Sequence, residues 1–146
     1  MKVFLKDIRP EGLVLHDTMN ADVIGVREED HLKFDSALSI NTRFELIEDT
    51  LLAKTKVRGN ISSTCSRCLE EIHRGWDKSF TLDFSINRNT DYVEIDEDVR
   101  QEVVLNLPMR VLCKEDCKGI CVDCGVNLNE DECRCKDTSH RTQGHK

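Results

Sequence analysis

The chain has 146 residues, 38% of them hydrophobic and 5% aromatic, and its 28 acidic against 21 basic side chains give a formal net charge of −7. That length supports one main core with an appended module rather than two full cores, and the charge excludes nucleic-acid binding by bulk electrostatics, so any RNA contact has to be local. The opening MKVFLKDIRP carries Lys2, Lys6, Asp7 and Arg9 and leaves no apolar run long enough for a signal peptide or a spanning helix, which points to a cytoplasmic protein with no membrane partner.

In chain order, residues 3–5, 13–16, 23–26 and 32–34 read as short strands, punctuated by a turn at Pro10-Glu11-Gly12 and by the acidic run 28–30. Leu38, Ile40, Phe44 and Leu46 then alternate with Ser39, Asn41, Arg43 and Glu45, the period of a strand with one buried face. Residues 51–63 continue the pattern, with Ala53, Thr55 and Val57 opposite Lys54, Lys56 and Arg58. Phe80, Leu82, Phe84 and Ile86 alternate with Ser79, Thr81, Asp83 and Ser85. Such a meander predicts an antiparallel sheet with one solvated face.

From Asp98 the period changes. Asp98 and Gln101 stand at capping-box spacing, Val99, Val103 and Leu107 recur at helical spacing, and Pro108 ends a short helix. Beyond it, residues 113–135 hold six cysteines and almost no hydrophobic periodicity, so this segment needs cross-links or metal to hold it. The expected architecture is α+β: a mainly antiparallel β-meander or partly open barrel with one short helix over residues 1–108, a small zinc-ribbon-like module over 109–136, and a disordered polar tail over 137–146.

The eight cysteines fall into four close pairs: Cys65 and Cys68, Cys113 and Cys117, Cys121 and Cys124, Cys133 and Cys135. In a reducing cytosol such pairs serve metal rather than disulfides, because each pair spans one edge of a thiolate tetrahedron and two pairs close it. The spacing allows two structural zinc sites, Cys121 and Cys124 with Cys133 and Cys135, and Cys65 and Cys68 with Cys113 and Cys117. The alternative is one site drawn from the six C-terminal cysteines, with Cys65 and Cys68 as free thiols. Gly125, directly after Cys124, permits the tight turn that aims backbone N–H groups at sulfur. The run Cys117-x3-Cys121-x2-Cys124 has the spacing of a radical S-adenosylmethionine cluster motif, but those enzymes resemble large barrels with the motif near their start, and only 22 residues follow Cys124. A closed four-thiolate site also lacks the open position that catalytic zinc needs.

Nothing else reads as a catalytic constellation. His16, His31 and His73 are scattered, His140 and His145 lie in the tail, and no nucleophile stands beside a base. Trp76 reads as packing. Charge is unevenly spread: residues 54–88 hold seven basic side chains against four acidic, whereas 91–102 hold six acidic against Arg100 alone. The acidic stretch is expected to face away from any polyanion.

The combination of Cys65-Ser-Arg-Cys-Leu69, Leu107-Pro108, Leu112-Cys113, Cys117-Lys-Gly-Ile-Cys121, Cys124-Gly125 and Asn127-Leu-Asn129, ahead of Cys133 and Cys135, resembles the YceD family of large ribosomal RNA subunit accumulation proteins. Val122 stands where that family pattern leads us to expect proline. The resemblance implies a non-enzymatic role in 23S ribosomal RNA accumulation and large-subunit biogenesis, through ribosomal RNA or a large-subunit ribosomal protein and without a small-molecule substrate. Combined with the local positive segment, it nominates Lys54, Lys56, Arg58, Arg67 and Arg74 as RNA contacts. The alternative is an adaptor, stabilised by zinc, whose acidic surface docks a basic protein without touching RNA.

Overall fold

The computed structural model describes residues 1–26 and 31–135. The acidic run 28–30 and the tail from Lys136, including His140 and His145, lie outside the described residues. The chain groups into two internally packed units, Met1–Ser63 with Ile72–Met109, and Thr64–Glu71 with Arg110–Lys146.

In the first unit, alternation produces strands β1 (Lys2–Phe4), β2 (Leu13–Met19), β3 (Leu32–Phe34), β4 (Leu38–Ile47), β5 (Thr50–Thr64), β6 (Glu71–Ser85) and β7 (Tyr92–Glu94). Helices α1 (Ala21–Ile24) and α2 (Asp96–Leu105) complete it. β5 organises the main sheet: β4 pairs antiparallel with its first part and β3 with Ile61–Ser63, while β2 extends the sheet from β4. β6 also pairs with β5, and Ile86 N–H donating to the Asp49 carbonyl at 2.9 Å closes the open end of that hairpin. The sheet does not close on itself, and β1 and β7 form a separate two-stranded ribbon.

The core consists of the inward positions of these strands with the apolar side of α2. Leu38, Ile40, Phe44, Leu51, Ala53, Val57, Ile61, Val99 and Val103 are buried, each large apolar side chain contributing roughly 1.5–3 kcal/mol. Two hydroxyls share this interior: Thr42 and Thr55 are cross-strand partners, 3.0 Å apart through their Oγ1 atoms, so each satisfies the other. Gly59 fits beneath Leu38, where a Cβ would lie 2.5 Å from Leu38 Cδ2.

Three local expectations are corrected. Residues 23–26 are not a strand: Val23 and Ile24 belong to α1, which ends at Gly25 with φ 74°. The helix begins at Asp96, so Asp98 is a first-turn acid and makes no capping hydrogen bond; its charge still suits the positive helix end. Leu46 lies on the buried side by alternation yet is exposed, since the burial of β4 stops at Phe44. Among the described residues, no helix is long and apolar enough to cross a membrane.

Candidate metal centres

The second unit has almost no apolar interior. Its buried side chains among the described residues are Cys65, Cys68, Val111 and Cys117, too little to offset chain entropy by burial alone. Two matching turns bring the sulfurs together. In the first, Cys65 N–H donates to the Glu70 carbonyl at 2.8 Å and Leu69 N–H to the Cys65 carbonyl at 3.0 Å. In the second, Cys121 N–H donates to the Val126 carbonyl at 2.9 Å and Gly125 N–H to the Cys121 carbonyl at 2.9 Å. Each turn needs a left-handed residue just after its second cysteine: Gly125 adopts φ 73°, and Leu69 adopts φ 65° despite its side chain.

These turns gather Cys65, Cys68, Cys113 and Cys117 into one group and Cys121, Cys124, Cys133 and Cys135 into another, with the sulfurs of each group within 4.8 Å of one another. Sulfur separations are 3.8 Å for Cys65–Cys117 and 3.6 Å for Cys68–Cys113. In the other group they are 3.2 Å for Cys121–Cys133, 3.9 Å for Cys121–Cys135 and 3.8 Å for Cys124–Cys133. A zinc–sulfur bond of about 2.3 Å in tetrahedral geometry sets sulfur atoms about 3.8 Å apart. Both groups fit a tetrahedral metal ion.

The surroundings favour thiolate over thiol at Cys65, Cys117 and Cys121. Burial pushes the Cys65 thiol up, but backbone N–H groups of Cys68, Cys113 and Arg67 overcome it and bring it down to about 6. Backbone N–H groups of Cys124 and Asp123 bring Cys121 down to about 6 as well. Cys117 is also lowered: burial opposes this, while the Asn129 amide, 3.3 Å from its sulfur, and the Gly119 N–H favour the charged form. Cys68, Cys113, Cys133 and Cys135 shift the other way, upward. At Cys68 the Glu70 N–H lowers the pKa, yet burial and the neighbouring sulfurs drive it up to about 12, and Cys135 is raised chiefly by Cys133. Four thiols at this spacing cannot all ionise unless a cation joins them.

Asn129 is itself held by Asn127 Oδ1 at 2.8 Å and accepts from Lys118 N–H at 2.9 Å. The Asn-Leu-Asn element therefore aims the Asn129 amide at the Cys117 sulfur. Gly119 sits where a Cβ would come 3.3 Å from the Arg67 carbonyl.

The basic residues nominated from the sequence differ in their local surroundings. Arg67 donates to the backbone carbonyls of Cys117 at 3.0 Å and Glu115 at 3.5 Å, bracing the first cysteine group. Lys54, Lys56 and Arg58 share the exposed side of β5. Arg74 belongs to the opposite side of the β5–β6 hairpin: Ser62 meets His73 across the strands, 2.7 Å from Oγ to Nδ1, so the next residue, Arg74, has the same parity as buried Trp76. Trp76 packs edge-on against Phe34 with ring centroids 5.4 Å apart, the packing role expected of it.

Arg43, which the sequence reading did not single out, joins the Lys54 side through their cross-strand pairing. Glu45 accepts from both, at 2.8 Å from Arg43 and 2.7 Å from Lys54, and those two partners hold its carboxyl below the usual range. Lys56 and Arg58 make no ion pair among the described residues. With Asn60, Gly75 and Asp77 they border an open depression.

One hydroxyl–imidazole contact was not legible in the sequence. Ser62 Oγ hydrogen-bonds both the Asp35 carboxylate and His73 Nδ1. A serine nucleophile needs the carboxylate on the far nitrogen of its histidine, whereas Asp35 Oδ2 lies 3.7 Å from the same Nδ1 that faces the serine. The arrangement ties β6 to β5 rather than activating Ser62.

Comparison with known proteins bears out the family resemblance. The family model described as large ribosomal RNA subunit accumulation protein YceD matches residues 83–143. A chloroplast protein of Arabidopsis thaliana, large ribosomal RNA subunit accumulation protein YCED homolog 1, is 37% identical over 43 residues, 30% of this chain and 13% of its own length. Its namesake from Zea mays is 36% identical over 45 residues, 30% of this chain and 15% of that protein. An uncharacterized protein of Mycobacterium leprae is 21% identical over 112 residues, covering 66% of this chain and 52% of the relative. The chain thus spans about half of that mycobacterial relative and far less of the plant proteins. No solved structure matches it.

Proposed function

We propose that this YceD-like chain is a non-enzymatic factor supporting 23S ribosomal RNA accumulation and large-subunit biogenesis, acting by RNA contact from the exposed side of β5. The observation that carries this reading is the family match over residues 83–143, joined by plant relatives bearing the same functional name. Lys56 and Arg58 are the phosphate contacts, because Lys54 is already shared with Glu45 and Arg67 braces a cysteine group. Each group of four cysteines would hold one structural Zn²⁺. All four coordination positions are then sulfur, which supplies cross-links to a unit without a core and leaves no site for a reacting water. The chain works where large subunits assemble, in the cytoplasm for this protein and in plastids for its chloroplast relatives.

Gradient sedimentation of a gently lysed native extract tests the reading: the protein is expected to travel with large-subunit precursors, and confinement to free-protein fractions would reject it. RNA crosslinking of Lys56→Glu with Arg58→Glu tests the face, unchanged crosslinking being the adverse outcome.

A second reading has its own observation. α2 carries Asp96, Glu97, Asp98 and Glu102; Val104 and Leu105 at its end are exposed, and Met109, four residues beyond, is fully exposed. An acidic helix ending in bare apolar side chains suits a basic protein segment. Recovery of a ribosomal protein after nuclease treatment, lost on Leu105→Asp, would favour that adaptor role.

A further inference from the structure

The β1–β7 ribbon carries an aromatic surface that neither the cysteine groups nor the β5 side uses. Phe4 lies directly across from Tyr92 and Lys2 across from Glu94. Val3 turns inward and is 1% exposed, so Lys2, Phe4, Tyr92 and Glu94 share the outward side. Phe4 and Tyr92 are the aromatic side chains that the fold leaves exposed, at 40% and 45%. Their ring centroids are 5.9 Å apart and the planes are inclined by 58°. Lys2 Nζ lies 3.6 Å from the Tyr92 centroid and 5.2 Å from that of Phe4, and Lys6 Nζ lies 5.7 Å from the Phe4 centroid.

The cross-strand ring pair and its lysines stabilise the ribbon yet leave both rings partly open. Two adjacent rings left in water forgo the burial that Phe34, Phe44 and Trp76 obtain. Lys2 faces Glu94 across the ribbon, yet among the described residues neither Lys2 nor Lys6 pairs with a carboxylate. Ammonium groups resting on ring faces keep their other donors available for an anion. Exposed rings covered by lysine side chains suit a nucleotide, the base replacing Lys2 over the Tyr92 face and the displaced ammonium meeting the phosphate. A cationic peptide would meet Lys2 and Lys6 as like charges.

We infer that Phe4 and Tyr92 form a stacking platform for an unpaired base of single-stranded RNA, with Lys2 and Lys6 taking the flanking phosphates. This rests on the RNA reading above and adds to it: the β5 lysine and arginine contact backbone of any structure, whereas the platform selects unstacked bases. Tyr92 and Glu94 belong to the acidic stretch 91–102 expected to face away from a polyanion, so the platform requires that expectation to fail at Tyr92, with Glu94 at the Lys2 end directing the phosphates towards Lys6.

The test compares a ten-nucleotide oligouridine with an RNA duplex of equal length by fluorescence anisotropy, using the full chain loaded with zinc. Phe4→Leu with Tyr92→Leu is expected to weaken the single strand by about tenfold or more, with less than about twofold change on the duplex, while Tyr92→Phe binds like wild type. Photocrosslinking of bromouridine-substituted oligomer to the unaltered protein provides a readout that needs no variant, with adducts expected on Phe4 or Tyr92. Wild-type binding by the folded double variant, or adducts confined to other peptides, overturns the platform. If Lys56→Glu with Arg58→Glu abolishes binding while the leucine variant has no effect, the platform fails and the RNA reading stands; if the wild type binds neither RNA, both fail.

Discussion

The two cysteine groups are built from the same turn, yet one is interior and the other open. Cys65, Cys68 and Cys117 are 0%, 5% and 3% exposed, whereas Cys124 and Cys135 are exposed and their partners Cys121 and Cys133 only half-buried. Turn hydrogen bonds barely differ, and apart from Cys121–Cys133 at 3.2 Å the sulfur separations given for both groups lie between 3.6 and 3.9 Å, so both fit a metal ion. What differs is access: Arg67, Asn129 and Gly119 close around the inner group. The lesson is that local sequence sets the sulfur geometry, while packing sets how readily solvent reaches it.

The largest expected effect breaks that comparison at its ligands. Cys65→Ser should remove one of two zinc equivalents and unfold the second unit broadly, a loss on the order of several kcal/mol. Cys124→Ser should remove one equivalent as well but raise amide exchange only within residues 121–135. Elemental analysis with hydrogen-exchange mass spectrometry distinguishes them, and equal spread from both variants would make the two groups one cooperative site.

Next in size is the rate of metal loss. Against a chromophoric chelator, zinc should leave in two phases, the faster from the outer group by about tenfold or more, since its release needs less local opening. A single phase would end the distinction by access.

The turn residues offer a smaller, sharper contrast. Gly125→Ala introduces a side chain at φ 73° and should lower stability by about 1 kcal/mol, with nothing within 4 Å to clash. Leu69→Gly relieves the same backbone strain and should raise stability by up to about 1 kcal/mol, reduced by the freer unfolded chain. Paired thermal melts measure both signs.

The smallest difference is expected in acid. Protons compete with metal for thiolate, so affinity falls as pH falls. Because Cys65 and Cys121 both lie at about 6, the two groups should lose zinc at similar pH, within about half a unit of each other. Equilibrium titration with a zinc indicator reads this, and widely separated midpoints would show that burial alters thiol acidity as well as access.

Much of the fold was legible because alternation in β4, β5 and β6 is a one-dimensional signal. Ala53, Val57 and Lys56 fall on the sides their periodicity assigns. Pair spacing offered the two cysteine groups that the structure brings together, alongside a single six-cysteine site, because a Cys-x2-Cys turn is local geometry while the meeting of distant pairs is not. Residues 23–26 misled for the opposite reason: Val23 and Ile24 have strand-like side chains, but Gly25 in the left-handed region ends a helical turn there. β7 escaped notice because its three residues sit among acids and are specified by pairing with distant β1.

By itself the sequence determined the antiparallel character of the sheet, the thiolate chemistry and the family resemblance, all of which reside in residue type and short spacing. Only the tertiary structure decided which charges act together. Arg67 and Lys56 are equivalent as letters, yet one hydrogen-bonds the backbone beside a cysteine group and the other faces solvent. Phe4 and Tyr92, far apart in the chain, became neighbours with Lys2 across them. Side-chain pairing across strands depends on register between distant segments, and register is fixed by the packed core rather than by any local run of residues.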